Sequence, residues 1–198
     1  IQGAWKALFT YFNQNHEKGA VEYQQGENIF IKTNGVGQTV VDSSDHSLAN
    51  YSSYFEPRTS PQPVLAILRQ LIDDYGVPQE YIFVGDPQRD IQNEYWDIWH
   101  REFPDVHYIC HKGGQGRTRA ATESESFIVY SDQGAVLRSG SWGDMSTGTP
   151  VYRDTLYAVI DEADYLINVP ALKVHERAGM TLIGKNDFGS HIRRNAMH

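Results

Sequence analysis

The sequence has one cysteine, few positive charges and no long apolar run, and each of these shortages excludes a class of protein. The single cysteine, Cys110, cannot form an internal disulfide and cannot alone hold an iron–sulfur cluster or a structural zinc ion. Because no stretch of about 18 consecutive residues is apolar, the sequence predicts no transmembrane segment. With 17 Lys and Arg residues against 25 Asp and Glu residues, the formal net charge of −8 argues against nucleic acid as a partner. A local basic pocket could still bind a small anionic molecule.

The length and composition fit one domain. A chain of 198 residues with 40% apolar content can form one sizeable core and is too short for two domains with cores of ordinary size. We therefore predict a single α/β domain over residues 1–198. The sequence begins at Ile1 rather than Met. Localisation is therefore open between the bacterial cytoplasm and export after loss of an N-terminal signal.

Short apolar runs alternate with segments of helical periodicity along most of the chain. The order strand, helix, strand implies neighbouring parallel strands joined by right-handed crossovers. We therefore predict a three-layer α/β fold whose sheet is mostly parallel, with a hairpin insertion. The predicted helices are 4–15, 61–75, 91–103, 154–163 and one that begins within 178–185; the predicted strands are 28–32, 81–84, 106–109 and 165–169, and the hairpin pairs 127–130 with 135–137.

Two features outside this alternation allow simple interpretations. The polar segment 33–59, which includes His46, is too long for an ordinary connection, and loops of such length are usually functional lids or disordered segments. Cys110 follows a predicted strand, and we interpret it as a small buried hydrophobic residue rather than a nucleophile.

Polar residues stand at the end of each predicted strand. In an open parallel sheet, ligands bind outside the carboxyl ends of the strands, so these residues should share one edge. Structural roles compete with binding here, because a solvated strand end, a turn or a helix cap accounts for such residues about equally well. The residues are Lys32, Asn34, Asp86, His111, Lys112 and Asn168.

The densest group of polar side chains follows the last predicted strand. Lys173, His175 and Lys185 fall within 13 residues, with Asn186 next to them and glycines among them. Three nitrogen side chains so close together predict a niche for a phosphate or a carboxylate. A neutral imidazole in that niche could bind a metal or transfer a proton.

We accordingly predict a site at the strand ends. His175 and Lys185 are the candidate catalytic residues, and His175 with His198 is a candidate metal pair, although the spacing of the histidines is not that of a helical metal site. The candidate cofactor-binding residues are Lys32, Asn34, Arg58, Asp86, Lys173 and Asn186.

Several motifs are similar to a known family. The segments LINVPALKVHERAGMTLIGKNDFG, IFIKTN, RTSPQPVLAILRQLI and YIFVGD resemble a large bacterial and archaeal family of domains of unknown function whose members are often labelled putative iron–sulfur centre proteins. That label comes from cysteine-rich modules appended in some members, so the resemblance implies no iron–sulfur cluster in this segment. Members of the family continue past the point that corresponds to His198, which implies that the chain is the N-terminal part of a longer protein.

A more distant resemblance is to the lactate racemase family, whose site holds a nickel pincer nucleotide. The resemblance implies a nucleotide-like or divalent metal cofactor and shared ancestry, but not the racemase reaction. This sequence departs from that family's pattern where Asp86 and Pro87 replace a turn histidine, and where Arg58 lacks an upstream aspartate. The matching positions are Arg58 with Thr59 and Pro61, Gly85 with Asp86, His175 with Gly179, Lys185, and His198.

Two functions follow from the cationic pocket. In the first, the protein is a cofactor- or metal-dependent enzyme in which His175 acts as acid, base or metal ligand, Lys185 supplies charge or a covalent tether, and Arg58 holds a substrate carboxylate. In the alternative, a non-catalytic domain binds an anion or a partner. Loop aromatic residues would then form the recognition surface; they are Tyr51, Tyr54, Phe55 and Trp142.

Overall fold

The structure is a computed structural model, and it describes residues 1–37, 40–49, 58–122, 124–130, 152–175 and 179–192. Its helices are α1 (Gln2–Asn15), α2 (Pro61–Arg69), α3 (Asn93–His100), α4 (Ala158–Asp161) and α5 (Ile183–Asn186). Its strands are β1 (Ile29–Thr33), β2 (Val40–Val41), β3 (Leu48–Ala49), β4 (Ile82–Gly85), β5 (His107–Cys110), β6 (Thr118–Arg119), β7 (Phe127–Tyr130), β8 (Tyr152–Thr155), β9 (Tyr165–Val169), β10 (Lys173–His175) and β11 (Gly179–Thr181).

A five-stranded parallel sheet forms the centre of the fold. Its strand order is β6-β5-β4-β1-β9, and every neighbouring pair is parallel. All five residues of β1 are buried, because layers cover both faces of the sheet. A strand buried on both faces reads as a continuous apolar run, which is why this strand was visible in the sequence. The predicted α/β class and parallel sheet are confirmed.

The two faces of the sheet pack against different parts of the chain. Ile29 and Ile31 point into the larger core, where they pack with residues of α1, α2 and α3 such as Phe9, Val64 and Trp99. Phe30 points the other way, into a second core that contains Tyr157 and Val159 at α4. The alternation along β1 therefore gives three layers of helix, sheet and helix.

Gly85 ends β4 at a position that excludes any other residue. Its φ is +149°, and a β-carbon there would lie 1.9 Å from the carbonyl oxygen of Ile109 on β5. Only glycine can adopt this backbone conformation while the two strands stay hydrogen-bonded. The chain turns sharply at Gly85, and Asp86 is the first residue after this turn.

The predicted helix after β7 is wrong over most of its length. Residues 152–155 form strand β8, which pairs antiparallel with β7, and only Ala158–Asp161 is helical. The predicted hairpin thus has β8 as its second strand, while 135–137 lies outside the described residues. Pairing with β7, which is distant in sequence, gives these residues a strand conformation although their local periodicity predicts a helix.

Only part of the segment 178–185, within which the last helix is predicted to begin, is helical. Gly179–Thr181 is strand β11, paired antiparallel with β10, and the helix α5 covers only Ile183–Asn186. Within the described residues, no helix combines the length and the apolar character needed to cross a membrane.

Candidate functional site

Three parallel strands end side by side at the carboxyl edge of the sheet. Lys32 of β1 is in register with Gly85 on one side and with Asn168 of β9 on the other. Asp86 follows Gly85 directly. The predicted residues Lys32 and Asp86 are therefore neighbours, as the parallel topology requires.

Lys32 and Asp86 form a buried ion pair. The lysine side chain is fully buried, and its Nζ lies 3.4 Å from Asp86 Oδ2. The ammonium also donates to the Thr33 carbonyl at 2.6 Å and to Asn186 Oδ1 at 3.4 Å. Burial lowers the pKa of Lys32, and the negative charge of Asp86 opposes this shift. The alternative of a solvated strand end is wrong for this residue.

Asp86 also organises the loops that follow β1 and β4. Its Oδ2 accepts a hydrogen bond from the Gly35 N–H at 2.9 Å, and its Oδ1 accepts one from the Gln88 N–H at 3.1 Å. Carboxylates that accept backbone N–H groups in this way hold a turn rigidly. The same carboxylate thus compensates Lys32 and fixes two loops.

The final segment of the described chain closes over this pair. Asn186 is buried, and its Nδ2 donates to the Lys32 carbonyl at 3.2 Å and to Asn168 Oδ1 at 2.7 Å. Asn168 Nδ2 in turn donates to Asp187 Oδ1 at 2.9 Å. Burial raises the pKa of Asp187, while the positive charges of Lys32 and His191 oppose the rise.

Gly189 lies directly against the ion pair. A β-carbon at this position would be 2.9 Å from Lys32 Nζ and 3.0 Å from Asp86 Oδ1. The backbone can therefore lie against the ion pair because glycine has no side chain.

Asn34 and Thr59 connect the end of β1 to the segment before α2. The Asn34 N–H donates to Thr59 Oγ1 at 2.8 Å, and that hydroxyl donates to the Val169 carbonyl at 2.7 Å. Asn34 Oδ1 accepts the Val36 N–H at 3.0 Å, which is the turn role that the sequence allowed.

Arg58 is held at the same edge. Its side chain is buried, its Nε donates to the Gly35 carbonyl at 3.0 Å, and its Nη1 donates to Gln92 Oε1. Both acceptors are uncharged, and these two bonds orient the guanidinium.

A cavity of about 330 Å³ opens beside this network. Its lining residues include Arg58, Arg89, Asp90 and residues 35–37. A second, narrower cavity shares Arg58, Arg89 and Asp90 and is also lined by Asn34 and Asp86. Three candidate residues from the sequence, Asn34, Arg58 and Asp86, therefore line a cavity, whereas Lys32 and Asn186 line neither of these two cavities.

The predicted niche after β9 reaches the rim of the larger cavity through Lys173. Its Nζ donates to the carbonyl of Val36, a residue of the cavity lining. His175 lies two residues further along β10 and is half-buried like Lys173, whereas Val174 between them is 89% exposed. The two side chains therefore share the inner face of the β10–β11 hairpin.

Lys185 and His198 complete the predicted set. Lys185 is half-buried on α5, and partial burial lowers its pKa. His198 lies outside the described residues, so the metal pair of His175 and His198 stays a prediction.

One group of potential metal ligands was missed in the sequence. A ring nitrogen of His46, a carboxylate oxygen of Asp90 and Cys110 Sγ all lie within 4.8 Å of one another. His46 was noted only as part of a long loop, and Cys110 only as a buried hydrophobic residue. No spacing rule relates positions 46, 90 and 110, since only the tertiary fold brings them together.

Comparison with known proteins gives one result. No curated protein and no solved structure matches this chain. A family model described as "Domain of unknown function (DUF362)" matches residues 114–198. That part of the chain contains Asn168, His175 and Lys185, whereas Lys32 and Asp86 lie before it. Over residues 114–198 the chain is therefore similar to a domain family of unknown function, which supports that part of the sequence resemblance.

Proposed function

We propose that the protein binds a small anionic molecule, with a carboxylate or phosphate group, in the cavity at the carboxyl edge of the sheet. The observation that carries the proposal is the presence of Arg58 and Arg89 in the lining of one cavity. Lys173 contributes a third positive charge at the rim, and Asp90 is the carboxylate among the lining residues that the structure describes. Guanidinium groups offer paired N–H donors that match the geometry of carboxylate and phosphate oxygens.

The burial of Arg58 strengthens this proposal. Its side chain is 8% exposed and is fixed by the Gly35 carbonyl and Gln92. A guanidinium that is already oriented loses little conformational freedom when it binds an anion. The narrow polar surroundings also screen its charge less than bulk water would.

We further propose an enzymatic role in which His175 transfers a proton and Lys185 supplies a reactive or tethering amine. A lysine whose pKa is lowered has a larger fraction of neutral, nucleophilic amine near neutral pH. A nucleotide-like cofactor of the kind found in the lactate racemase family would provide an electron-accepting centre, and Lys185 is the residue that would hold it. The position of His175 on the inner face of β10 supports a role toward the cavity rather than toward solvent.

A non-catalytic partner-binding role is the second candidate. Its supporting observation is a set of exposed apolar side chains on and around the β10–β11 hairpin. They are Leu172, Val174, Met180, Leu182 and Ile183. Contiguous exposed apolar residues often mark an interaction surface.

Isothermal titration calorimetry with inorganic phosphate, lactate and adenosine monophosphate tests the binding proposal. Replacing Arg58 with Gln or Arg89 with Gln should weaken binding by about 10- to 100-fold, the loss expected for one charged hydrogen bond. Arg69→Gln is the matched control, because Arg69 is an exposed arginine of α2 that pairs with Glu102. Equal losses in the control, or no binding of any of the three anions, would contradict the proposal.

Native against denaturing mass spectrometry tests the enzymatic part. A cofactor tethered by Lys185 should appear as an added mass on the protein from its own host and should vanish in Lys185→Ala. His175→Ala should keep that mass and lose turnover. Anion binding with neither an added mass nor any turnover would favour the non-catalytic alternative.

A further inference from the structure

We infer that His46, Asp90 and Cys110 form a binding site for a divalent metal ion, with zinc as the best chemical match. This site is separate from the metal pair of His175 and His198 predicted from the sequence. It goes beyond the proposed anion site and does not depend on it.

Three loops or strand ends supply the three residues. His46 comes from the turn between β2 and β3, Asp90 from the loop after β4, and Cys110 from the last position of β5. The carboxyl ends of β4 and β5 are neighbours in the sheet, so their loops meet at the edge where α/β proteins bind ligands.

The backbone fixes His46 in a conformation that few side chains adopt. Its φ is +59°, its N–H donates to the Asp42 carbonyl at 2.8 Å, and its carbonyl accepts the Asn93 N–H at 3.0 Å. The side chain is 1% exposed. Histidine is among the non-glycine residues that adopt the left-handed region most readily, and the two hydrogen bonds of the His46 backbone hold the ring in place.

The two ring nitrogens of His46 have different surroundings in the part of the chain that the structure describes. Nε2 lies 3.2 Å from the Gly113 carbonyl, an acceptor, so Nε2 carries the hydrogen and Nδ1 carries a lone pair. Nδ1 is buried and has no hydrogen-bond partner among the residues that the structure describes. A buried acceptor without a donor costs free energy, and a metal ion would remove that cost. An N–H bonded to a backbone carbonyl on the far side of the ring is also the usual arrangement of a histidine that binds a metal.

Cys110 and Asp90 complete a donor set that suits zinc. Cys110 is fully buried, and its Sγ accepts the Gly113 N–H at 3.2 Å, a contact that fixes the position of the sulfur. Asp90 is oriented by Ser43 Oγ at 2.7 Å and by the Lys112 N–H at 2.8 Å, one on each carboxylate oxygen. Each oxygen keeps a further lone pair for coordination.

The distances allow the three side chains to close around one ion. A ring nitrogen of His46, a carboxylate oxygen of Asp90 and Cys110 Sγ lie within 4.8 Å of one another. Ligand atoms around a tetrahedral zinc ion are roughly 3.5 Å apart at ordinary bond lengths. Each pair of ligand atoms would therefore have to approach by about 1.3 Å or less to bind one ion. Nitrogen, sulfur and carboxylate ligands in a set of three leave a fourth position, as in catalytic zinc sites. Asp90 also lines the larger cavity, so that position could be reached from open solvent.

Zinc stoichiometry and affinity test the inference on the full chain. After chelation and dialysis, the wild-type protein should bind one zinc ion per chain in competition with a chromophoric chelator. Cys110→Ala and His46→Asn should each weaken zinc binding at least about tenfold, since even outer partners of metal ligands cost that much. Asparagine is chosen because it tolerates a positive φ. His107→Asn is the matched control, because His107 begins the same strand, β5, at the opposite edge of the sheet.

Cobalt substitution on the wild-type protein keeps the test independent of variant folding. Cobalt bound to Cys110 should give a thiolate-to-cobalt charge-transfer band, and Cys110 is the only cysteine that could produce it. Lack of this band, lack of stoichiometric zinc, or zinc affinity unchanged in both cluster variants would overturn the inference. Loss of anion binding in Arg58→Gln with zinc binding intact would show that the two sites are separate.

Discussion

Lys32 and Asp86 pair across two neighbouring parallel strands, with 3.4 Å between Nζ and Oδ2 and almost no exposure of either side chain. One charge comes from the penultimate residue of β1 and the other from the residue after β4. Two opposite charges removed from water stabilise the fold only while both are present.

Replacing either member of this pair alone should destabilise the protein strongly. We expect Lys32→Met or Asp86→Asn to lower the free energy of unfolding by about 3–5 kcal/mol, the usual cost of an unpaired buried charge. The double variant should lose much less than the sum of the two. Urea unfolding of the three variants measures the coupling. Glu102→Gln, which breaks the exposed pair with Arg69, is the control and should hardly change stability. Additive losses in the double variant would show that the two charges do not interact.

Gly189 should tolerate no side chain. Gly189→Ala places a β-carbon 2.9 Å from Lys32 Nζ, so we expect a loss of about 1–3 kcal/mol from overpacking. Gly184→Ala is the matched control in the same segment, because a β-carbon there would meet nothing within 4 Å. Thermal unfolding of both variants compares them directly, and equal melting temperatures would contradict the close approach.

The hydroxyl of Thr59 should matter more than its methyl group. Thr59→Val leaves the Asn34 N–H and the Val169 carbonyl without their partner, which we expect to cost about 1–3 kcal/mol for each unsatisfied group. Thr59→Ser should recover most of the loss because it keeps the hydroxyl. Chemical unfolding measures both variants. A valine variant as stable as the serine variant would mean that water or another group replaces the hydroxyl.

We expect ionisation of the Asp187 carboxyl to lower the free energy of unfolding as the pH rises. Burial raises its pKa in the folded protein above the ordinary value of about 3.9. Between those two values the folded state binds more protons than the unfolded state, so the free energy of unfolding decreases with increasing pH. Relative to wild type, Asp187→Asn should therefore gain stability from pH 3 upward and level off above the folded pKa.

Asp161 provides a control of opposite sign for this pH dependence. Hydrogen bonds from Ser126 and Ser124 lower the pKa of its carboxyl. Its contribution to stability is present above the ordinary pKa and is lost as the pH falls through the folded pKa. Asp161→Asn should therefore lose stability relative to wild type as the pH rises from 3. If the stability difference from wild type changed with pH in the same direction for both asparagine variants, the pKa shifts assigned to the two carboxyls would be contradicted.

The sequence revealed the parallel sheet because its strands are continuous apolar runs that end abruptly in polar residues. The same feature placed Lys32, Asn34 and Asp86 at one edge, as the structure confirms. This sequence pattern could not show that Lys32 is fully buried, because lysine is almost always exposed unless it has a partner. Burial of the lysine depends on Asp86 and Asn186, and only the tertiary fold brings those residues to it.

The parts that were wrong or missed depend on contacts rather than on local pattern. Strands β8 and β11 are short, and each exists because a partner strand lies beside it. The group of His46, Asp90 and Cys110 joins three separate segments, and its most telling feature is a buried ring nitrogen with no partner among the described residues, which no sequence pattern encodes.

The position of β9 beside β1 determines when the edge of the sheet can be completed. The Asn28 N–H donates to Asp164 Oδ2 across 136 residues, and this contact leads into the pairing of β1 with β9. Strand β1 can dock early on β4, but its second neighbour is far along the chain, and closing so long a loop is slow. Until β9 docks, Lys32 has Asp86 but lacks Asn186 and Gly189. During that interval the chain exposes an unpaired strand edge beside a half-covered charge, and such an edge is prone to pair with other chains.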